Sequence, residues 1–155
     1  MKKVVIMSDN HCQYNHLQYV LKQHPDADYY IHCGDNEGYD DQLEDFIAVR
    51  GNNDWGSNLE RVKFITIENH RIGICHGHQF GYFNKEENML EFCKEHDLDI
   101  LCSGHTHVSM NIEYEGVYLI NPGSTALPRG GSKPSYAIME IDGGNVRIEF
   151  LEMPE

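Results

Sequence analysis

Positive charge is the scarcest feature of this sequence. Twelve Lys and Arg stand against 25 Asp and Glu in 155 residues, a formal net charge of −13. Duplex nucleic acid and anionic membranes recruit Lys/Arg clusters, so neither is an expected partner. Long apolar runs are also missing. The longest span four residues, as in Val4–Met7 and Tyr136–Met139, where a membrane-crossing helix needs about 20. Lys2-Lys3 has the charge of a signal n-region, but the apolar stretch after it is too short to complete one. The five cysteines (12, 33, 75, 93, 102) are odd in number and contain no C-x-x-C pair. A reduced, cytoplasmic setting is therefore expected. Repeats, low-complexity segments, linkers and blocks of like charge are lacking as well.

What remains is a globular composition, 40% apolar and 24% charged. A single domain over residues 1–155 is expected at this length, with a core large enough to need no disulfide or metal staple. Residues 3–7 read as a strand buried on both faces. Tyr14, Leu17, Val20 and Leu21 recur at helical spacing until Pro25. Residues 29–33 complete a βαβ unit, and 46–50 read as a further strand after a short acidic helix over 40–45. A hairpin over 62–68 and 71–75 is expected to turn at Asn69-His70. A helix over 85–96 is expected to be capped by Asn84, with Glu87 three residues on. Strand 98–103 and two hairpins, over 110–121 and 135–152, close the chain. The pattern is α/β early and antiparallel β late, which implies two sheets packed together with helices outside.

Five of these strand-like runs end in a polar cluster: Ser8-Asp9-Asn10-His11, Gly34-Asp35-Asn36, Gly51-Asn52-Asn53-Asp54, His76-Gly77-His78 and Gly104-His105-Thr106-His107. In open α/β sheets, ligands bind outside the carboxyl ends of the strands. Asp9, His11, Asp35, Asn52, His76, His105 and His107 are oxygen and nitrogen donors, and seven exceed what one ion needs. One shared carboxylate gives each of two ions four protein ligands. No Cys takes part, which disfavours a structural zinc site; mixed O/N ligation suits Mn²⁺, Fe²⁺, Ni²⁺ or Zn²⁺ in an open, catalytic one.

The ordered series Asp-x-His, Gly-Asp, Gly-Asn-x-Asp, His-Gly-His and Gly-His-Thr-His resembles the calcineurin-like metallophosphoesterase superfamily, in particular its small prokaryotic phosphodiesterase branch. Asn121-Pro122-Gly123-Ser124 resembles that branch's closing motif. The resemblance implies a four-layer sandwich of two mixed β-sheets flanked by α-helices. It implies Asp9, His11 and His107 on one metal ion, Asn52, His76 and His105 on the other, and Asp35 bridging them. Mn²⁺ is the expected metal. The implied reaction is hydrolysis of a small phosphodiester by a metal-bridging hydroxide. A catalytically weak scaffold of the retromer-subunit type, or a phosphomonoesterase or nucleotide pyrophosphatase on the same metals, are the alternatives.

One position departs from the family pattern. Larger members carry a His after the metal-binding Asn, and here that residue is Asn53, which does not donate a proton usefully at neutral pH. Two routes to a leaving-group proton remain, His78 or a bound water, and His78 reads equally as support for the metal site. Asp54 is expected to orient a ligand, with His11 as the suggested partner. Asn53 and Arg129 are the substrate-contacting candidates, although a solvated loop is the simpler expectation for Arg129. Tyr82 and Phe83 suit stacking on an aromatic group, with core or interface packing the simpler expectation. His16, His24, His32, His70 and His96 read as structural, His70 as a turn residue. Homo-oligomerisation is left open.

Overall fold

A computed structural model describes residues 1–154. In chain order the elements are β1 (Lys2–Met7), α1 (Tyr14–Gln23), β2 (Tyr29–His32), β3 (Ile47–Ala48), β4 (Val62–Ile67) and β5 (His70–Cys75). They continue with α2 (Lys85–Glu95), β6 (Ile100–Cys102), β7 (Met110–Tyr114), β8 (Val117–Asn121), β9 (Ser135–Asp142) and β10 (Asn145–Glu152). Two five-stranded sheets result, ordered β10-β9-β1-β2-β3 and β4-β5-β6-β8-β7. Both are mixed. β1–β2–β3 and β5–β6–β8 run parallel, while β9–β10, β4 and β7 pair antiparallel at the flanks.

The alternation of side chains along each strand builds the layers. In β1, Val4 and Ile6 face the second sheet and pack with Ile72, Ile74, Ile100 and Ile120. Val5 and Met7 face outward onto Leu17 and Val20 of α1. The second sheet repeats the arrangement, placing Leu101 and Leu119 against Met89 and Cys93 of α2. The result is the helix–sheet–sheet–helix sandwich that the sequence pattern implies.

Four local expectations need correction. The strand expected over 46–50 keeps only Ile47–Ala48, because Phe46 swings out to pack edge-on against Tyr30 and His32, with ring centroids 5.8 and 6.0 Å away. The acidic helix over 40–45 is a single 3₁₀ turn, Asp40–Leu43. Asn84 does not cap α2 through its side chain; its backbone is left-handed (φ 54°), whereas a capping residue is normally extended. The first hairpin turns at Glu68-Asn69, both at positive φ (46° and 72°), as two-residue hairpin turns favour. His70 therefore begins β5 and is nearly buried, not a turn residue.

His70 joins three elements. Its Nδ1 donates to the Asp99 carboxylate just before β6, and its Nε2 donates to the Gly143 carbonyl at 2.7 Å in the β9–β10 turn. Both ring nitrogens face acceptors, which only the doubly protonated ring satisfies. Burial works to lower its pKa, but the Gly143 carbonyl and Asp99, helped by Glu68, raise it above the ordinary value. A folded pKa above the unfolded one gives stability that is fully present below about 6.5 and is lost as pH rises through the folded value. Urea titrations of the chelator-treated protein should therefore show the difference between wild type and His70→Ala, about 1–3 kcal/mol at pH 6, shrinking by pH 9. A difference independent of pH would contradict the charged clamp.

Candidate metal centre

The parallel strands of both sheets deliver the polar clusters to one edge of the sandwich. β1, β2 and β3 contribute from one sheet, and β5, β6 and β8 from the other. The crevice thus lies between the sheets as well as along each of them. Backbone strain is concentrated there. Asp9, His11, Asp35, His105 and His107 all have positive φ, between 44° and 73°, a region sparsely used by residues other than glycine although Asp and His tolerate it best.

Cross-sheet hydrogen bonds hold this geometry. The Asp9 carboxylate is buried, and its Oδ2 accepts from Ser8 Oγ (2.6 Å) and the His105 backbone N–H (3.0 Å). Its other oxygen, Oδ1, is buried without a hydrogen-bond partner. That oxygen lies 3.2 Å from His107 Nε2, 3.8 Å from His76 Nε2 and 3.9 Å from His11 Nε2. The opposite nitrogen of each ring is already engaged. His107 Nδ1 donates to the Leu127 carbonyl (2.7 Å), His76 Nδ1 to the Cys33 carbonyl (2.8 Å), and His11 Nδ1 to the Glu37 carboxylate.

In a neutral imidazole one nitrogen donates and the other carries a lone pair. These partners therefore turn Nε2 lone pairs into the crevice. His11 Nε2 and His107 Nε2 lie 3.1 Å apart, and His76 Nε2 lies 3.3 Å from both Asp35 Oδ2 and His105 Nδ1. Electron pairs and carboxylate oxygens facing one another at such distances call for a cation between them. The donor set fits divalent metal ions. Asp9 and Asp35 each belong to groups that reach both the His11 side and the His76 side of the crevice.

The charges reinforce this reading. Burial works to raise the Asp9 carboxyl, but His107, His76 and Ser8 together hold it below its ordinary value. Asp35 is held at about 2 by His76 and Asn53 against the effect of burial. Burial works to lower His76, yet Asp35, Asp9 and the Cys33 carbonyl raise it. A proton on His76 and a bound cation thus compete for the same place. Burial, with the neighbouring positive charges of His76 and Lys85, lowers His105 to about 4.

The remaining residues singled out in the sequence fall as follows. Asn52 is exposed, flanked by Gly51, which touches Asp35, and by Asn53. Asn53 donates its backbone N–H to Asp35 Oδ1 (3.0 Å) and its side-chain amide to Oδ2 (3.1 Å). Its amide is thereby directed at a metal-side carboxylate. Contrary to the expectation from the sequence, the Asp54 carboxylate is bonded not to His11 but to backbone N–H groups. It accepts from the backbone N–H groups of Asp35 (2.8 Å), Glu37 (2.8 Å) and Gly51 (2.6 Å), tying the loop after β2 to the loop after β3. His78 lies beside the site, with ring centroids 5.7 Å from His76 and 6.0 Å from His105, and its buried Nδ1 has no partner. Burial, with positive charge at His76, Arg61 and Lys85, lowers its pKa.

Arg129 is exposed, and its backbone N–H donates to the His107 carbonyl (3.0 Å). Tyr82 and Phe83 are 89% and 88% exposed and so are not core residues, because the loop after His78 carries them outward. The closing motif braces the site. Ser124 Oγ donates to the Asp9 carbonyl (2.7 Å), and the Asn121 amide donates to the Gly104 carbonyl (2.9 Å). His32 is a satisfied core residue. Its Nε2 donates to Asn10 Oδ1 (2.7 Å) and its Nδ1 accepts from Gly34 N–H (3.0 Å), while burial lowers its pKa to about 4. Sequence reasoning missed Glu37. The signal available was an acidic residue two positions after Asp35, with no cue that it would turn towards His11.

Two stacked mixed sheets with a donor-rich crevice at one edge define the metallophosphoesterase architecture. Residues 1–144 match the model of the calcineurin-like phosphoesterase superfamily domain. The probable metallophosphoesterase YsnB of Bacillus subtilis is 32% identical over 152 residues, covering 96% of this chain and 90% of that protein. A conserved protein of Streptococcus pneumoniae, described as a predicted phosphoesterase, superposes with a TM-score of 0.91 at 26% identity, over 97% of this chain and 89% of that one. Vps29 of Entamoeba histolytica, solved with zinc, superposes with a TM-score of 0.78 at 25% identity, over 96% and 98%. The chain belongs to the calcineurin-like phosphoesterase superfamily and is, by class, a metal-dependent phosphoric ester hydrolase. Among the described residues, no helix is long and apolar enough to cross a membrane.

Proposed function

We propose that this protein is a dinuclear metal-dependent phosphodiesterase acting on a small phosphodiester, with Mn²⁺ as the working metal, in the cytoplasm. The observation that carries the reading is the unpartnered Asp9 Oδ1, faced by three imidazole nitrogens within 3.9 Å and backed by Asp35. In this reading Asp9, His11 and His107 hold one ion, Asn52, His76 and His105 the other, and Asp35 is shared.

When bound, the two ions supply Lewis acidity and lower the pKa of a coordinated water from about 15.7 towards 7. The chain's own part is to place and charge the donors. Asn53 fixes both oxygens of Asp35 through its two hydrogen bonds. Asp54 fixes the loops that carry Asp35 and Asn52. Arg129, on the segment bonded to His107, is the candidate for the outer phosphate oxygens. The acidic surface, at −13, favours a compact substrate over a long polyanion.

Turnover of a nitrophenyl phosphodiester after chelation, with and without added Mn²⁺, tests the reading. Metal-stimulated hydrolysis that exceeds hydrolysis of the matching monoester is expected. A preference for the monoester would make the protein a phosphomonoesterase, and no metal-stimulated turnover would favour the scaffold reading.

Asn53 offers no useful proton, so rates are expected to fall as the leaving-group pKa rises. His78 is the untied imidazole at the site, and its proposed role is to assist the leaving oxygen. His78→Ala should then slow an alkyl diester about 10²-fold and leave a nitrophenyl diester within a few fold. Equal losses on both substrates, or none, would remove His78 from the chemistry.

A further inference from the structure

Three histidines of the site direct Nε2 into the crevice, but they are not anchored alike. His76 and His107 donate Nδ1–H to backbone carbonyls of Cys33 and Leu127. His11 donates Nδ1–H to the carboxylate of Glu37. A carbonyl offers a partial charge, whereas a carboxylate offers a full one. The carboxylate orients the imidazole and makes it a stronger metal ligand.

The chain builds this contact deliberately. Glu37 has a left-handed backbone, φ 57°, an uncommon conformation for its side-chain type. It is held there because its N–H donates to Asp54 Oδ1 (2.8 Å), the same carboxylate that grips Asp35 and Gly51. The Cys12 thiol donates to the Glu37 carbonyl (3.1 Å) and ties the segment to the loop carrying His11. Side chains of His11 and Glu37 are 16% and 27% exposed, so solvent screens their pairing only in part.

We propose that Glu37 is a positioning residue that makes the ion on the Asp9–His11–His107 side the more tightly held of the two. The proposal rests on the dinuclear reading above. Glu37 itself is not placed on that ion. It sits at the Nδ1 face of His11, and an ion held by Nε2 would lie across the ring. Its charge acts through the imidazole, and it also adds a third carboxylate to Asp9 and Asp35 at the centre.

Calorimetric Mn²⁺ titration of the chelated protein gives a readout independent of turnover. Wild type should bind two ions in distinguishable steps. Glu37→Gln keeps an acceptor for Nδ1–H but loses the charge, and should weaken the tighter step about 10-fold while leaving the other unchanged. Glu37→Ala should weaken it by up to about 100-fold, and Glu37→Asp should recover part of the loss. Thermal unfolding of the metal-free variants should match wild type, separating an effect on the ion from one on folding. If wild type binds two ions and the Glu37 variants bind them unchanged, or lose both steps equally, the role of Glu37 is overturned and the dinuclear reading stands. If wild type binds fewer than two ions, the dinuclear reading itself fails, and this proposal with it.

Discussion

Replacing Asp35 with Asn is expected to lower metal-stimulated phosphodiester hydrolysis by about 10³-fold or more. Metal ions contribute several kcal/mol of charge stabilisation in the transition state, and each 1.36 kcal/mol is tenfold in rate. Asp35, like Asp9, has claims on both halves of the site. It lies 3.3 Å from His76 Nε2 and belongs to one donor group with His11 and another with Asp9. An Asn side chain keeps the shape and one oxygen, but it loses the charge that Asn53 and His76 now stabilise at about pKa 2. Metal-dependent kcat/KM on a nitrophenyl diester is the measurement. Retention of a tenth or more of wild-type activity would contradict a shared role for Asp35.

Gly51→Ala should disable the same site without replacing a donor. A Cβ built on Gly51 would lie 2.1 Å from Asp35 Oδ1 and 2.6 Å from the Asp35 backbone nitrogen. Real contacts are never that short, and backbone does not yield as a flexible side-chain tip does. The β2 loop must therefore move, displacing Asp35 and breaking the Asp54 clamp on Gly51 N–H. Forced repacking of this kind costs roughly 1–3 kcal/mol, a Tm lower by about 5 °C, together with most of the metal-dependent activity. Gly144→Ala is the matched control. A Cβ there meets nothing within 4 Å, and its backbone is not left-handed. Thermal melts and activity of the two variants should separate cleanly; equal behaviour would show that the contact between β2 and β3 loops is loose.

Much of the site was legible because its donors come in short contiguous clusters. Asp9 with His11, or His105 with His107, sit directly after an apolar run, and the run itself announces a buried parallel strand. The two-sheet sandwich follows from the same runs, since Val4/Ile6 and Val5/Met7 must each find a partner layer. What stayed hidden depends on contacts between distant segments. Glu37 reaching His11, Ser124 reaching the Asp9 carbonyl, and His70 reaching Gly143 are set by how the sheets stack, which no local pattern encodes. Asp54 shows the limit well. Its type and position mark it as a supporting residue, but its actual partners are three backbone N–H groups rather than a histidine ring. Tyr82 and Phe83 show the converse. Aromatic character suggests burial, yet the loop that must leave the crevice after His78 carries both rings into solvent.

These placements also change the electrostatic picture. In the dinuclear reading, the sequence pattern puts two carboxylates, Asp9 and Asp35, against two divalent ions. The structure brings Glu37 to the back of His11 and so sets a third carboxylate near the centre. In the proposed dinuclear reading, an acidic protein attracts a phosphodiester anion chiefly where the ions would lie, in the crevice.

The dinuclear centre is tested most directly by anomalous scattering from crystals grown with Mn²⁺ and phosphate. Two anomalous peaks per chain about 3.5–4 Å apart are expected, with Asp35 touching both, Asp9, His11 and His107 around one, and Asn52, His76 and His105 around the other. A single peak, or two peaks that do not share Asp35, would contradict this arrangement.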